Sequence, residues 1–237
     1  MKIAIACFGL VTLASCPIFA QFQTDHFACY VPITVSQIQS DGVNLEDQFG
    51  TNAAVIGQVF RLCNPARKTH NGVVTPIQNP TDRLTLHLTG PQPLTTRQVR
   101  IQNQFGDQVL TTQDARILAV PTVQFAPLQG TDHFSCYTVS DGQAINEQVN
   151  LQDQWSNAPR VVRRPFLFCN PVRKGHNGVI TPVRHPDDHL TCYTTSKQQV
   201  APVSVFFANQ FGPFSLNPRG SDMLCVPTRK IASQEAE

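Results

Sequence analysis

The chain has 237 residues and a formal net charge of +2, with 41% of its residues hydrophobic and 14% charged. That length suits one large or two small domains, and a balance so near neutrality excludes the basic character that nucleic-acid binding calls for. Gln, Asn, Thr and Ser supply most of the polar surface, which fits solvent-facing strands better than charged helices.

Residues 1–20, MKIAIACFGLVTLASCPIFA, read as an export signal: Lys2, an apolar run from Ile3 to Leu13, then small residues. Cleavage after Ala20 makes Gln21 the mature N-terminus. The alternative exit is the lipobox-like LASC, which makes Cys16 an acylated first residue. Beyond the signal no apolar run reaches the ~20 residues of a membrane helix. The expectation is a secreted or periplasmic/cell-surface protein, free or lipid-tethered, with no membrane span.

At Asp25 a repeated vocabulary begins. DHFACY (25–30) returns as DHFSCY (132–137) and DHLTCY (188–193), VNLEDQF as VNLQDQW, and CNPARKTHNGVVTP as CNPVRKGHNGVITP. The long period is about 106 residues and a second comparison halves it, giving four units of ~40 residues. They start at Asp25, Asp82, Asp132 and Asp188. The organisation expected is a β-module over 21–122, a linker over 123–130, a second β-module over 131–228 and a tail over 229–237.

Six cysteines lie beyond the signal, and an even count in an exported chain argues for disulfides. Units 1, 3 and 4 each carry one Cys near the start and one near the end. Unit 2 has lost both together, with Leu86 and Ala119 in their places, as a bonded pair predicts. The assignment is Cys29–Cys63, Cys136–Cys169 and Cys192–Cys225. One bridge in the first module against two in the second predicts that the first melts before the second. The cysteine spacing has no close pair of the kind zinc requires.

Within a unit the periodicity is that of strands. In HFACYV, Phe27, Cys29 and Val31 alternate with His26, Ala28 and Tyr30, and VNLED places Val43 and Leu45 on one face. Runs such as VFRLC and PFLFC end at a cysteine and then meet Pro65 or Pro171. The fold expected is all-β: two tandem β-sandwich or barrel-like modules, each built from two pseudo-symmetric units. With these words in hand, the DHFxCY, DQFG and LCxP vocabulary resembles a bacterial extracellular domain of unknown function that occurs in tandem copies. That resemblance covers nearly all of the mature chain and implies no reaction, ligand or catalytic residue.

Several groups invite chemistry. The Asp-His pairs at 25–26, 132–133 and 188–189 suggest acid/base or metal roles, but recurrence in separate units favours Asp closing a turn and His opening a strand. Trp155 occupies the place of Phe49, Phe105 and Phe211, so it reads as core rather than as a sugar platform. In RHPDDH, His185, Asp187, Asp188 and His189, with His176 nearby, are weak metal candidates; no metal or cofactor is expected. Arg160, Arg163 and Arg164 read as a solvated basic face. The sixteen-residue connections repeat Arg67, Lys68, His70 and Asn71 as Arg173, Lys174, His176 and Asn177. Asn-Gly explains a hairpin turn. The recurring Arg, Lys and His suggest a presented contact loop, whose alanine variants would fold normally. No catalytic residues are assigned. The function expected is a secreted or envelope-tethered, non-enzymatic β-repeat protein with a binding or structural role toward an extracellular or envelope partner. The alternatives are a metal-dependent hydrolase using RHPDDH and a secreted inhibitor presenting the HNG hairpins.

Overall fold

The computed structural model describes residues 22–36, 40–92, 95–124 and 130–235. The export signal, the termini expected at Cys16 or Gln21 and most of the linker lie outside the described residues. Within them the regular secondary structure is strand alone.

Every unit has the same plan: a first strand, a short outer strand, a [DN]-Q-[FW] turn and a long strand. Unit 1 supplies β1 (Phe27–Val35), β2 (Gly42–Asp47) and β3 (Gly50–Pro65), then a small hairpin of β4 (Arg67–His70) and β5 (Val73–Thr75). Unit 2 supplies β6 (Arg83–Thr89), β7 (Arg97–Asn103) and β8 (Gly106–Thr122). Unit 3 supplies β9 (Phe134–Val139), β10 (Glu147–Gln152) and β11 (Asn157–Pro171), then β12 (Arg173–His176) and β13 (Val179–Thr181). Unit 4 supplies β14 (His189–Gln199), β15 (Val205–Asn209) and β16 (Gly212–Glu235).

The first and long strands of the four units pair antiparallel in the order β1, β3, β6, β8, β9, β11, β14, β16 and back to β1. They close a barrel. Eight strands enclose a space just wide enough for side chains to fill, and Phe27, Leu84, Phe134, Leu190, Met223 and the cysteines fill it. Cys29–Cys63, Cys136–Cys169 and Cys192–Cys225 are disulfides between directly opposed residues of neighbouring strands. In unit 2 Leu86 stands opposite Ala119, and apolar packing takes the fourth bridge's place.

Outside the barrel, each short strand pairs with the near end of its long strand, and the resulting hairpin packs on the next unit. Val43 and Leu45 of unit 1 meet Leu118 and Val120 of unit 2. Val99 and Ile101 meet Phe168 of unit 3, Val149 and Leu151 meet Leu224 and Val226 of unit 4, and Phe207 and Leu216 meet Leu62 of unit 1. Barrel strands are therefore buried on both faces, which is why β8 ends in six consecutive buried residues instead of alternating.

The expected division into modules 21–122 and 131–228 gives way to one ring. β8 pairs β9 across that boundary and β16 returns to β1, while β4 docks on β10 and β12 on β2. Each half alone would leave two long strand edges unpaired, and the other half covers them. The expected tail is strand as far as Glu235, its residues 229–235 paired with β7.

Candidate functional site

The repeated polar words join the units to one another. The Asp that opens each unit accepts from backbone amides just ahead of the next unit. Asp25 takes Gln78 N and Asn79 N (2.7 Å each), Asp82 takes Thr131 N (3.1 Å), and Asp132 takes Arg184 N and His185 N (2.9 and 2.8 Å). Asp188 closes the circle on Gln23 N and Thr24 N (2.7 and 3.0 Å). Charge-assisted bonds to backbone amides are among the stronger ones a fold makes.

In units 1, 2 and 3 the second residue meets the Gln of the next unit's turn. His26 Nε2 donates to Gln104 Oε1 (2.9 Å), Arg83 to Gln154 Oε1 (2.7 Å) and His133 Nε2 to Gln210 Oε1 (3.0 Å). The sixth residue reaches two units on. Tyr30 donates to Asp153 (2.7 Å), Tyr137 to Asp47 (2.8 Å), Asn103 Nδ2 to Tyr193 Oη (2.9 Å) and Asn209 Nδ2 to His87 Nε2 (3.2 Å). The turn aromatic stands edge-on to the same ring, Trp155 against Tyr30 at 4.8 Å and Phe49 against Tyr137 at 4.9 Å. Burial pushes the imidazoles of His26, His133 and His189 down to about 3 and that of His87 to about 4, so all four are neutral at pH 7. Burial raises the Asp47 and Asp153 carboxyls and carries the Tyr30 and Tyr137 phenols upward.

The RHPDDH residues do not converge. Asp188 is engaged by the backbone of unit 1, His185 Nδ1 faces Asp132 at 3.4 Å, His189 is buried and stacked on Phe168 at 5.5 Å, and Asp187 is exposed. His176 belongs to another contact, with Asp41 at 2.5 Å. Among the described residues, the one group of three ligand-type side chains that meets is Cys29, Cys63 and Cys225, whose sulfurs are already in disulfides. Arg160 is fully buried and donates to Gln198 and Ser156, whereas Arg163 and Arg164 are exposed, so that cluster does not form.

The hairpin residues face the opposite half. Arg67 donates to Gln152 (3.0 Å) and Arg173 to Glu46 (2.6 Å). His70 bonds Glu147, as His176 bonds Asp41. Lys68 and Lys174 are buried; Lys68 donates to Gln104 Oε1, and burial pushes its ammonium down to about 8. Asn71 and Asn177 adopt φ of 48° and 49° ahead of Gly72 and Gly178 at 79° and 78°, the pair of positive φ values a tight hairpin turn requires.

One cleft of about 640 Å³ lies where the start of unit 1, the connection to unit 2, the turn of unit 2 and the far end of unit 4's long strand come together. Phe22, Pro76 and Pro227 give it apolar walls, with Gln102 and Arg229 beside them. Volumes of this order hold small ligands. Arg229 was not singled out from the sequence, although its signal was present there. CNPARK and CNPVRK have a third copy, CVPTRK, which aligns Arg229 and Lys230 with Arg67-Lys68 and Arg173-Lys174.

No curated protein and no solved structure matches the chain. A family model does, over residues 88–227, more than half of the sequence, and its description is a repeat of unknown function. The chain belongs to that family, the DUF7450 repeats.

Proposed function

We propose that the protein is a non-enzymatic binding module that works outside the cytoplasm. The observation that carries this reading is the set of three disulfides packed inside the barrel. Such bonds form and persist in oxidising compartments, and the thiols of a cytosolic barrel would be held reduced. The export signal and its two exits, at Gln21 or lipidated Cys16, belong to the same reading.

The non-enzymatic part rests on how the polar groups are used. The side chains most suggestive of catalysis recur in several units and are committed to joints between them. A reaction needs one constellation in one geometry. The hydrolase alternative has no convergent ligand set in its support, and the inhibitor alternative must present hairpins whose Lys and His side chains are turned inward.

Fractionation of producing cells, with thiol alkylation before lysis, tests the location. The expected result is protein in the medium or envelope fraction with its six cysteines protected. Reduced protein in the cytoplasm contradicts it. Elemental analysis tests the chemistry: stoichiometric zinc, lost in His185→Ala, would restore the hydrolase.

A further inference from the structure

Three of the four units end in the same way, with Pro-x-Arg-Lys after the barrel strand, and each of these arginines stands opposite a residue of an outer strand. Arg67 faces Gln152, Arg173 faces Glu46 and Arg229 faces Gln102. The first two pairs are closed: Arg67 Nη1 donates to Gln152 Oε1 at 3.0 Å and Arg173 Nη1 to Glu46 Oε2 at 2.6 Å. The third is open. Among the described residues neither the Arg229 guanidinium nor the Gln102 side chain has a hydrogen-bond or ion-pair partner, and both line the 640 Å³ cleft.

Several other polar groups of the cleft are committed elsewhere. Asp25 uses its two carboxylate oxygens on Gln78 N and Asn79 N, at 2.7 Å each. His26 is neutral and gives its Nε2 hydrogen to Gln104, whose Oε1 also accepts from Lys68. Asn103 donates to Tyr193 and Thr228 and accepts from Phe105 N. The cleft thus combines apolar walls with one uncommitted guanidinium, the uncommitted amide of Gln102 and the buried, unpartnered Nε2 of Gln104.

A planar guanidinium pairs best with a planar, two-oxygen anion. We infer that this cleft binds a small amphipathic carboxylic acid. Its apolar body lies against Phe22, Pro76 and Pro227, and its carboxylate is held by Arg229 with Gln102 donating beside it. The inference rests on the binding-module reading and gives it a site and a ligand class. The other two arginines spend the same fork on protein partners, so the repeat itself supplies matched controls.

The experiment is isothermal titration calorimetry of the purified exported protein with dodecanoate and dodecyltrimethylammonium, each below its micelle concentration, and dodecanol below its solubility limit. Dodecanoate is expected to bind one to one, and the alcohol and the cation at least about tenfold more weakly, as loss of a charge-assisted hydrogen bond implies. Arg229→Gln should weaken dodecanoate by a similar factor at an unchanged melting temperature, while Arg67→Gln and Arg173→Gln leave the affinity as it was. No dodecanoate binding, equal binding of the three head groups, or an equal loss in Arg67→Gln overturns the inference. None of those outcomes touches the extracellular, non-enzymatic reading, which compartment and metal content decide separately.

Discussion

Unit 2 carries Arg83, Leu86, His87 and Ala119 where unit 3 carries His133, Cys136, Tyr137 and Cys169. The joints survive all four replacements. Arg83 still meets the Gln of the following turn, His87 still bonds the turn residue two units on, and Leu86 still faces Ala119 inside the barrel. The opening Asp is unchanged, and Asp82 clasps Thr131 as Asp132 clasps Arg184 and His185. A position in this fold is therefore defined by what it must reach, and several side chains can reach it. Compared with unit 3, unit 2 lacks the bridge outright, along with the Pro-x-Arg-Lys end and the hairpin that follows it.

The largest effects should come from moving the bridge. Removing it from unit 3, by Cys136→Ala with Cys169→Ala, opens a loop with a sequence separation of 33 residues. Loop-closure entropy puts the cost at roughly 3.5–4 kcal/mol, checked by urea unfolding under non-reducing conditions. Installing it in unit 2, by Leu86→Cys with Ala119→Cys, should form a fourth bridge visible in non-reduced peptide maps. Its gain should fall below ~3.5 kcal/mol because a well-packed Leu is lost. If the new cysteines stay free, the unit 2 site is not equivalent to its siblings.

The histidines give a pH dependence. His26, His87, His133 and His189 have folded values depressed to about 3 or 4, while the unfolded chain titrates near 6.5. Between those values the unfolded chain binds more protons, so stability is full above about pH 6.5 and falls as the solution is acidified. The loss between about pH 7 and pH 5 should be roughly 2 kcal/mol per histidine. The raised carboxyls of Asp47 and Asp153 act in the opposite sense, since the folded protein binds their protons more readily. His133→Gln can keep a donor for Gln210, and should flatten the profile by one histidine's share. Unit 2, with Arg83 in that place, makes no such contribution at its second residue.

The clasps come next. Asp188→Ala removes two charge-assisted bonds to backbone amides between units 4 and 1, one of them buried, at a cost of about 2 kcal/mol in urea unfolding. Asp82→Ala, acting on Thr131, should cost a similar amount if the four clasps are equivalent. The smallest effect is expected at the exposed Arg67: Arg67→Ala should stay within ~0.5 kcal/mol. Lys68→Ala should cost more, because Lys68 is buried against Gln104.

Strands, repeat units and bridged cysteines were legible because each leaves a local mark: alternation in VNLED, four restarts of one vocabulary, and the joint loss of Leu86 and Ala119's cysteines. Ring closure was not legible. Which long strand β8 meets depends on edges left over by both halves, and no local pattern records whether β9 or β1 will cover them. The recurring Arg-Lys-His of the connections was visible but open in meaning. Lys68 and Lys174 proved buried, since β4 and β12 cross to the opposite half, and sequence distance hides that contact. The cleft was missed for the same reason, its walls coming from residues as far apart as Phe22 and Arg229.

Four units make one barrel, so that neither half is complete without the other. Differential scanning calorimetry of the oxidised, full-length mature protein tests it most directly. A single transition is expected, with calorimetric and van't Hoff enthalpies that agree, even though the two halves carry different numbers of bridges. Two resolved transitions, with the one-bridge half melting first and the other persisting, would contradict it.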